Sequence, residues 1–412
     1  MTAAARQKFI SDWHALRVTS ASAPQLERKL GVGGAIAIGL ASMLGTGVFA
    51  AWTPALGWAG SWLLASLALA AVIAGLNAWS TAALARVHPQ AGGAYAYGRA
   101  RLGRSAGVIA GTAFVVGKVA SAGAAALTIG AYLAPDHARA IAVVAIIVVV
   151  GLDLRGVTRT ASAAAVSATL VVAVLLVLAV LSVTSGAQAP AIAALSQPEG
   201  LAGVVAAAGL MFVAFAGYAR IATLGEEVRD PARVIPRAMA VSLGIVCGLY
   251  LVVALVVLHI LGPVAVRSSA PLAQVASIVA GDGMASVVRG AAVVAAGGAL
   301  LSLLAGIGRT LFAMARGGDA PSGLTAISAH GIAYRAQIVA AGGATVVALL
   351  GGIGDALALS GVTILAYYGV AHLAALRLER GEGRPPAVVP VLGLAGCVII
   401  AVTLVVMAVT SR

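Results

Sequence analysis

The chain reads as long apolar runs separated by short polar connectors, and the length of the runs sets the class of fold. A helix needs roughly 17–25 apolar residues to cross the hydrocarbon core of a bilayer. Eleven runs come near that length: 31–54, 58–85, 107–134, 138–154, 161–185, 200–225, 238–262, 286–315, 335–353, 356–376 and 387–410. The fourth is the shortest by this reading. Connectors such as Val87-His88-Pro89-Gln90-Ala91-Gly92-Gly93 carry turn chemistry. Asp230 ahead of Pro231 places an N-cap before a proline at the first helical position, which predicts a short amphipathic helix leading into the seventh run. Two runs are broken in the middle. In the first, Gly39-Leu40-Ala41-Ser42-Met43-Leu44-Gly45-Thr46-Gly47-Val48-Phe49, two glycines flank Thr46. In the sixth, Gly217 and small neighbours interrupt Phe212-Val213-Ala214-Phe215-Ala216-Gly217-Tyr218-Ala219-Arg220. Unpaired backbone in hydrocarbon is costly, so such a break persists only where it lines a polar cavity or binds something. Breaks that recur five runs apart in opposite orientation point to an inverted repeat with a site between the halves. That divides the chain into a tail (1–29), a first five-helix repeat (30–186), a second (187–376), and a loop with one extra helix (377–412).

Composition decides between a membrane protein and a large soluble core. With 61% hydrophobic and only 9% charged residues, the chain reads as integral to a lipid bilayer. The net charge of +13 would suggest nucleic acid in a soluble protein, but here the charges sort by connector. Twenty-one of the 26 basic residues fall in the tail and in alternate connectors, such as the one with Arg99, Arg101 and Arg104; four fall on the other side, and Lys118 lies inside a run. The positive-inside rule then puts the N-terminus in the cytoplasm and, after an odd number of spans, the C-terminus outside a cytoplasmic membrane. Nucleic acid drops out as a partner. The first 29 residues have no apolar core and read as a cytoplasmic tail. Cys247 and Cys397 each sit in an apolar run, and the six histidines show no ligand spacing, so neither disulfide, metal nor other cofactor is expected. No cluster of catalytic side chains and no phosphate loop is present, which disfavours an enzyme and an ATP-driven pump. Trp52, Trp58 and Trp62 cluster where an outer aromatic belt is expected.

Four motifs in order resemble the amino acid–polyamine–organocation superfamily of amino acid permeases. Gly39 to Phe49 resembles the first-helix signature, with Gly45-Thr46-Gly47 where members carry Gly-Ser-Gly; Pro89-Gln90-Ala91-Gly92-Gly93-Ala94-Tyr95-Ala96-Tyr97 is similar to the element after the second span. Phe212 to Ala238 resembles the sixth-helix signature and its loop, and Arg309 with Met314-Ala315-Arg316-Gly317-Gly318-Asp319-Ala320-Pro321 the end of the eighth helix. The resemblance implies an all-α, LeuT-like five-plus-five inverted-repeat fold with discontinuous helices 1 and 6. It implies an amino acid bound between the breaks: Thr46 and Gly47, with Gly45, receiving the carboxylate, and Met43, Val213 and Ala216 offering carbonyls to the ammonium. Phe215 would close over the substrate beside Gly217. The small neutral lining of Ala41, Ser42, Met43, Val213 and Ala216 leans toward small or apolar neutral substrates rather than arginine or polyamines.

Three charged residues are candidates for coupling or gating. Lys118 follows Gly107 by eleven residues, roughly 16 Å into the third run. An intramembrane charge of this kind marks a functional site by default. Some family members carry a lysine in the fifth helix where sodium-coupled relatives bind sodium, whereas here Ser167 or Thr169 stands near that place; Lys118 is the candidate to supply the charge and to cycle a proton. A permanent structural lysine is the competing reading. Arg220 follows the second break and is expected to pair with Glu226 or Glu227. Asn77 is expected to make an interhelical hydrogen bond. Proton-coupled uptake and amino acid exchange both remain open at this point, as does the oligomeric state.

Overall fold

In a computed structural model of the protein, residues 30–88, 92–155, 161–187, 198–225, 227–328 and 331–410 are described. Among them the chain is helical, and the β pairing is an isolated bridge between Leu30 and Val228. The first run becomes α1 (Val32–Met43), α2 (Gly47–Ala50) and α3 (Trp52–Ala59), and the second becomes α4 (Leu63–Val87). A short helix, α5 (Ala94–Leu102), links it to α6 (Arg104–Leu133), which α7 (Ala138–Leu154) and α8 (Ala161–Thr184) follow. The sixth run is split into α9 (Gly200–Phe215) and α10 (Ala219–Ala222). The remaining elements are α11 (Pro231–Ile260), α12 (Pro271–Arg316), α13 (Tyr334–Leu350), α14 (Ile353–Leu376) and α15 (Val388–Thr410). Among the described residues, ten segments are long and apolar enough to cross a membrane. The helix of the fourth run, α7, and α13 each have 17 residues, but a turn at Pro135 lengthens the fourth segment to 20, which leaves α13 the shortest of the segments that answer to the eleven runs.

Local chemistry explains two departures from the expected layout. No separate helix precedes the seventh span: α11 runs unbroken from Pro231 through Pro236 for 30 residues. Pro236 has no N–H for the carbonyl of Ala232 one turn back, and Arg86 Nε donates to that carbonyl at 3.1 Å instead. The helix therefore continues through the proline, tied to the end of α4. The eighth span begins past Gly281, whose φ of 75° breaks the 46-residue α12 near its start. The aromatic belt also needs correction. Trp62 is 55% exposed, but Trp52 is fully buried, with its indole N–H on Val48 O at 2.6 Å.

The helices pack into two main apolar cores. One joins both broken spans to α4, α11, α14 and α15. The other is built by α6, α7, α12 and α13, with Ala122, Ile146, Leu300 and Ala344 at its centre. Small residues let backbones approach where these groups meet: Gly117 of α6 lies against Ile364 of α14, and Gly123 against Val347 of α13.

Candidate functional site

The first break is narrow. Leu44 leaves helical geometry at ψ 21° while its amide still reaches Leu40 O at 2.7 Å. The amides of Gly45, Thr46 and Gly47 have no backbone acceptor among the described residues. The Thr46 hydroxyl is buried without a partner, whereas that of Ser42 donates to Ile38 O at 2.8 Å. The second break is tightened rather than unwound. Ala216 to Tyr218 form a 3-10 turn between α9 and α10, and the Ala216 amide bonds back to Phe212 and Val213 carbonyls. Carbonyls of this turn therefore keep one free lone pair at most beside the bond they already make.

The two breaks are pressed together at their glycines. A Cβ on Gly217 would lie 2.5 Å from the Ser42 carbonyl, and one on Gly47 would run into the Ala214 backbone. Gly45 sits equally close to Ala299 of α12, at 2.7 Å for an added Cβ. Tyr250 of α11 clamps the crossing: its hydroxyl lies 2.6 Å from Met43 O and 3.1 Å from Ala214 O. The Phe215 ring, fully buried, packs on Tyr250 with centroids 4.9 Å apart. On the other side Tyr132 of α6 donates to Phe49 O at 3.0 Å. Tyr250 and Tyr132 were not singled out from the sequence, although a buried phenol in an apolar run usually finds a polar partner. Ala41 stands apart from the crossing, against Ala164 and Ala168 of α8. A cavity of about 620 Å³ reaches from Glu199, Ser268 and Asp355 at the helix ends to Ala50 and Leu210, which lie one turn along their helices from the crossing pair Gly47 and Ala214.

The charged candidates take other places. Lys118 is half-buried on α6, its ammonium 5.8 Å from the Phe114 ring, which in turn packs on Tyr367 of α14. It has no carboxylate within ion-pair distance among the described residues, and neither break touches it. Arg220 donates to the Thr223 hydroxyl at 3.2 Å rather than forming an ion pair with Glu227. Glu226 lies outside the described residues. Asn77 does bridge helices, through the His372 ring.

At the arginine-rich end, ion pairs tie the connectors together. Asp319 accepts from Tyr95 at 3.0 Å and Arg104 at 2.7 Å, and also pairs with Arg99. Burial alone would raise its carboxyl pKa, but the bonds from Arg104 and Tyr95 and the Arg99 charge outweigh it and hold the group below the ordinary value. Glu382 is likewise held low, chiefly by its bond from Arg101. The same arginine donates to His88 at 3.0 Å, and burial together with the Arg101 charge lowers the His88 pKa and keeps the imidazole neutral.

A bundle of apolar spans, two of them broken at one level where unpaired amides and a hydroxyl meet, is the arrangement of a membrane transporter rather than an enzyme. The sequence model of the amino acid permease family matches residues 30–412. The chain belongs to that family. It is 43% identical over 382 residues to an uncharacterized transporter of Mycobacterium tuberculosis, covering 92% of this chain and 87% of the relative. It is 28% identical over 324 residues to the vacuolar cationic amino acid transporter 2 of Arabidopsis thaliana, 72% of this chain and 51% of that protein. With the branched-chain amino acid permease BcaP of Bacillus subtilis it shares 30% identity over 132 residues, 32% of this chain and 28% of the permease.

Proposed function

We propose that this protein takes up small or apolar neutral L-amino acids across the cytoplasmic membrane by alternating access, driven by an inward proton gradient. The observation that carries the reading is the crossing of the broken spans. The Gly45, Thr46 and Gly47 amides and the Thr46 hydroxyl converge there without partners, a donor set suited to a carboxylate. The spare lone pairs of Met43, Val213 and Ala216 carbonyls suit the ammonium. Phe215 closes the site, and its packing on Tyr250 couples closure to the clamp across both breaks. The lining is small and neutral, which favours apolar side chains such as those named for the Bacillus permease over those named for the plant transporter.

The five-plus-five inverted repeat, 30–186 and 187–376 with 377–412 added, is supported by the second core, whose members pair the third and fourth spans with the eighth and ninth, five apart. That group serves as the scaffold against which the broken spans rock. Lys118 is the candidate coupling group, because an intramembrane ammonium with no carboxylate partner among the described residues, only the Phe114 face beside it, can give up its proton.

Uptake of a panel of labelled amino acids into empty proteoliposomes, with and without an acid-outside pH gradient, tests the reading. Gradient-driven accumulation is expected. Uptake that requires preloaded amino acid makes the protein an exchanger, and transport of no amino acid removes the substrate class. Lys118→Ala is expected to abolish the gradient's effect; intact pH dependence in that variant removes Lys118 from the mechanism.

A further inference from the structure

A second concentration of polar side chains lies beside the second break, where α4, α14 and α15 meet the 3-10 turn. His372 of α14 is fully buried, with Nε2 2.6 Å from Asn77 Oδ1 and Nδ1 3.0 Å from Ser80 Oγ. The same Asn77 oxygen faces the Cys397 thiol at 3.4 Å. An amide oxygen only accepts, so Nε2 carries a ring hydrogen, and in the neutral ring Nδ1 accepts from the Ser80 hydroxyl. Gly393 of α15 makes room for it, since any side chain there would run into the imidazole.

Three further buried polar groups border the cluster and face one another without closing to ideal geometry: the Asn77 amide, the Tyr218 hydroxyl and the Tyr368 hydroxyl. Tyr218 closes the 3-10 turn of the second break, its ring 5.5 Å from that of Tyr368, and its hydroxyl faces Asn77. Asn77 bonds the ring and faces Tyr218, so the imidazole and the hydroxyls of the second break belong to one buried polar cluster. The Ser80 hydroxyl is the second telling feature. It donates to a neutral imidazole, and by turning its hydrogen to the carbonyl one turn back it accepts from a charged one. His372 can therefore gain a proton without losing either ring bond.

We infer that this cluster is a second proton-binding station of the transport cycle beside Lys118, with His372 the group that takes its proton and Tyr218 the link to the second break. The proton arrives through water, adds to the Nδ1 lone pair, and leaves to water from the same atom; no other bond is made or broken. The inference rests on the proton-coupled reading above. Around the ring, α4 presents only Asn77 and Ser80, α15 presents Cys397, the broken span presents Tyr218, and α14 itself Tyr368 and Tyr367. The short helix α5 contributes Tyr97 next to Tyr367, and α6 contributes Phe114. Among the described residues no carboxylate or ammonium faces the imidazole, so its charge state is set by access to water and by the hydroxyls around it.

The test uses full-length protein in proteoliposomes, reading gradient-driven accumulation and, separately, counterflow, which needs no net proton movement. His372→Gln is expected to keep counterflow and lose accumulation. Ser80→Ala removes the acceptor that a charged ring needs more than a neutral one, and is expected to shift the pH profile of uptake about one unit toward acid. Accumulation by His372→Gln equal to wild type overturns the inference. So does an unshifted profile in Ser80→Ala when His372→Gln has lost both activities, because a purely structural histidine gives that pair of results; a shifted profile with the same loss supports it. Wild-type protein that performs counterflow but never responds to the gradient removes the proton-coupled reading itself, and this inference with it.

Discussion

Tyr250 has one hydroxyl hydrogen and two carbonyls to serve, Met43 O and Ala214 O, one from each broken span. Tyr250→Phe keeps the ring against Phe215 and Trp52 but leaves buried carbonyls short of a donor. A loss of about 1–3 kcal/mol is expected, read as a lower melting temperature in detergent, together with slower uptake. Thr46 should behave in the opposite way. Its hydroxyl has no partner to lose, so Thr46→Val should melt no lower than wild type, while the apparent affinity for substrate falls about tenfold, or roughly 1.4 kcal/mol. Weakened folding with unchanged affinity would remove Thr46 from the carboxylate site. The two residues also differ in how legible they were. Thr46 stands between two glycines within an apolar run, a local signal. Tyr250 acts on carbonyls 207 and 36 residues away in sequence, and nothing in its own run records them.

Between elements, the glycines at the breaks act by letting one backbone reach another. Gly217→Ala and Gly47→Ala would each drive a methyl into the facing broken span, and overpacking of this kind costs about 1–3 kcal/mol. Both should lose uptake and melt lower. Gly244 of α11 has nothing within 4 Å of an added Cβ, so Gly244→Ala should transport normally and melt at or slightly above wild type. Normal uptake by Gly217→Ala would show that the close crossing is not needed. Asp319 holds α5 and the start of α6 to the end of α12. Its carboxyl is depressed in the folded protein, so its contribution is present above the ordinary carboxylate pKa and fades as pH falls through the folded value. Asp319→Asn should therefore melt lower than wild type at neutral pH, with the gap closing in acid. The existence and order of the long apolar helices were readable from run length, whereas α5, in a polar connector, was not. The form of the second break was not, because a 3-10 turn and an unwound segment leave the same small-residue trace. The continuous α11 was illegible for a similar reason: Asp230-Pro231 marks a start, but only the distant Arg86 explains why the helix runs on past Pro236.

For the whole molecule, the side on which each connector lies turns on α13. Its 17 residues rise only about 25 Å, short of the roughly 30 Å of a hydrocarbon core. If α13 failed to cross, every later connector would change sides, and Arg377, Arg380 and Arg384 would move outside with the segment after α14. Three arginines in one short loop oppose that placement, so α13 is expected to span with its polar flanks drawn in, and the end of α15 to lie outside. Single cysteines in a background of Cys247→Ala and Cys397→Ser decide the matter. Thr410→Cys should react with a membrane-impermeant maleimide added to intact cells, and Gly381→Cys only after the cells are opened. The reverse pattern would mean that α13 does not cross and would break the five-plus-five count.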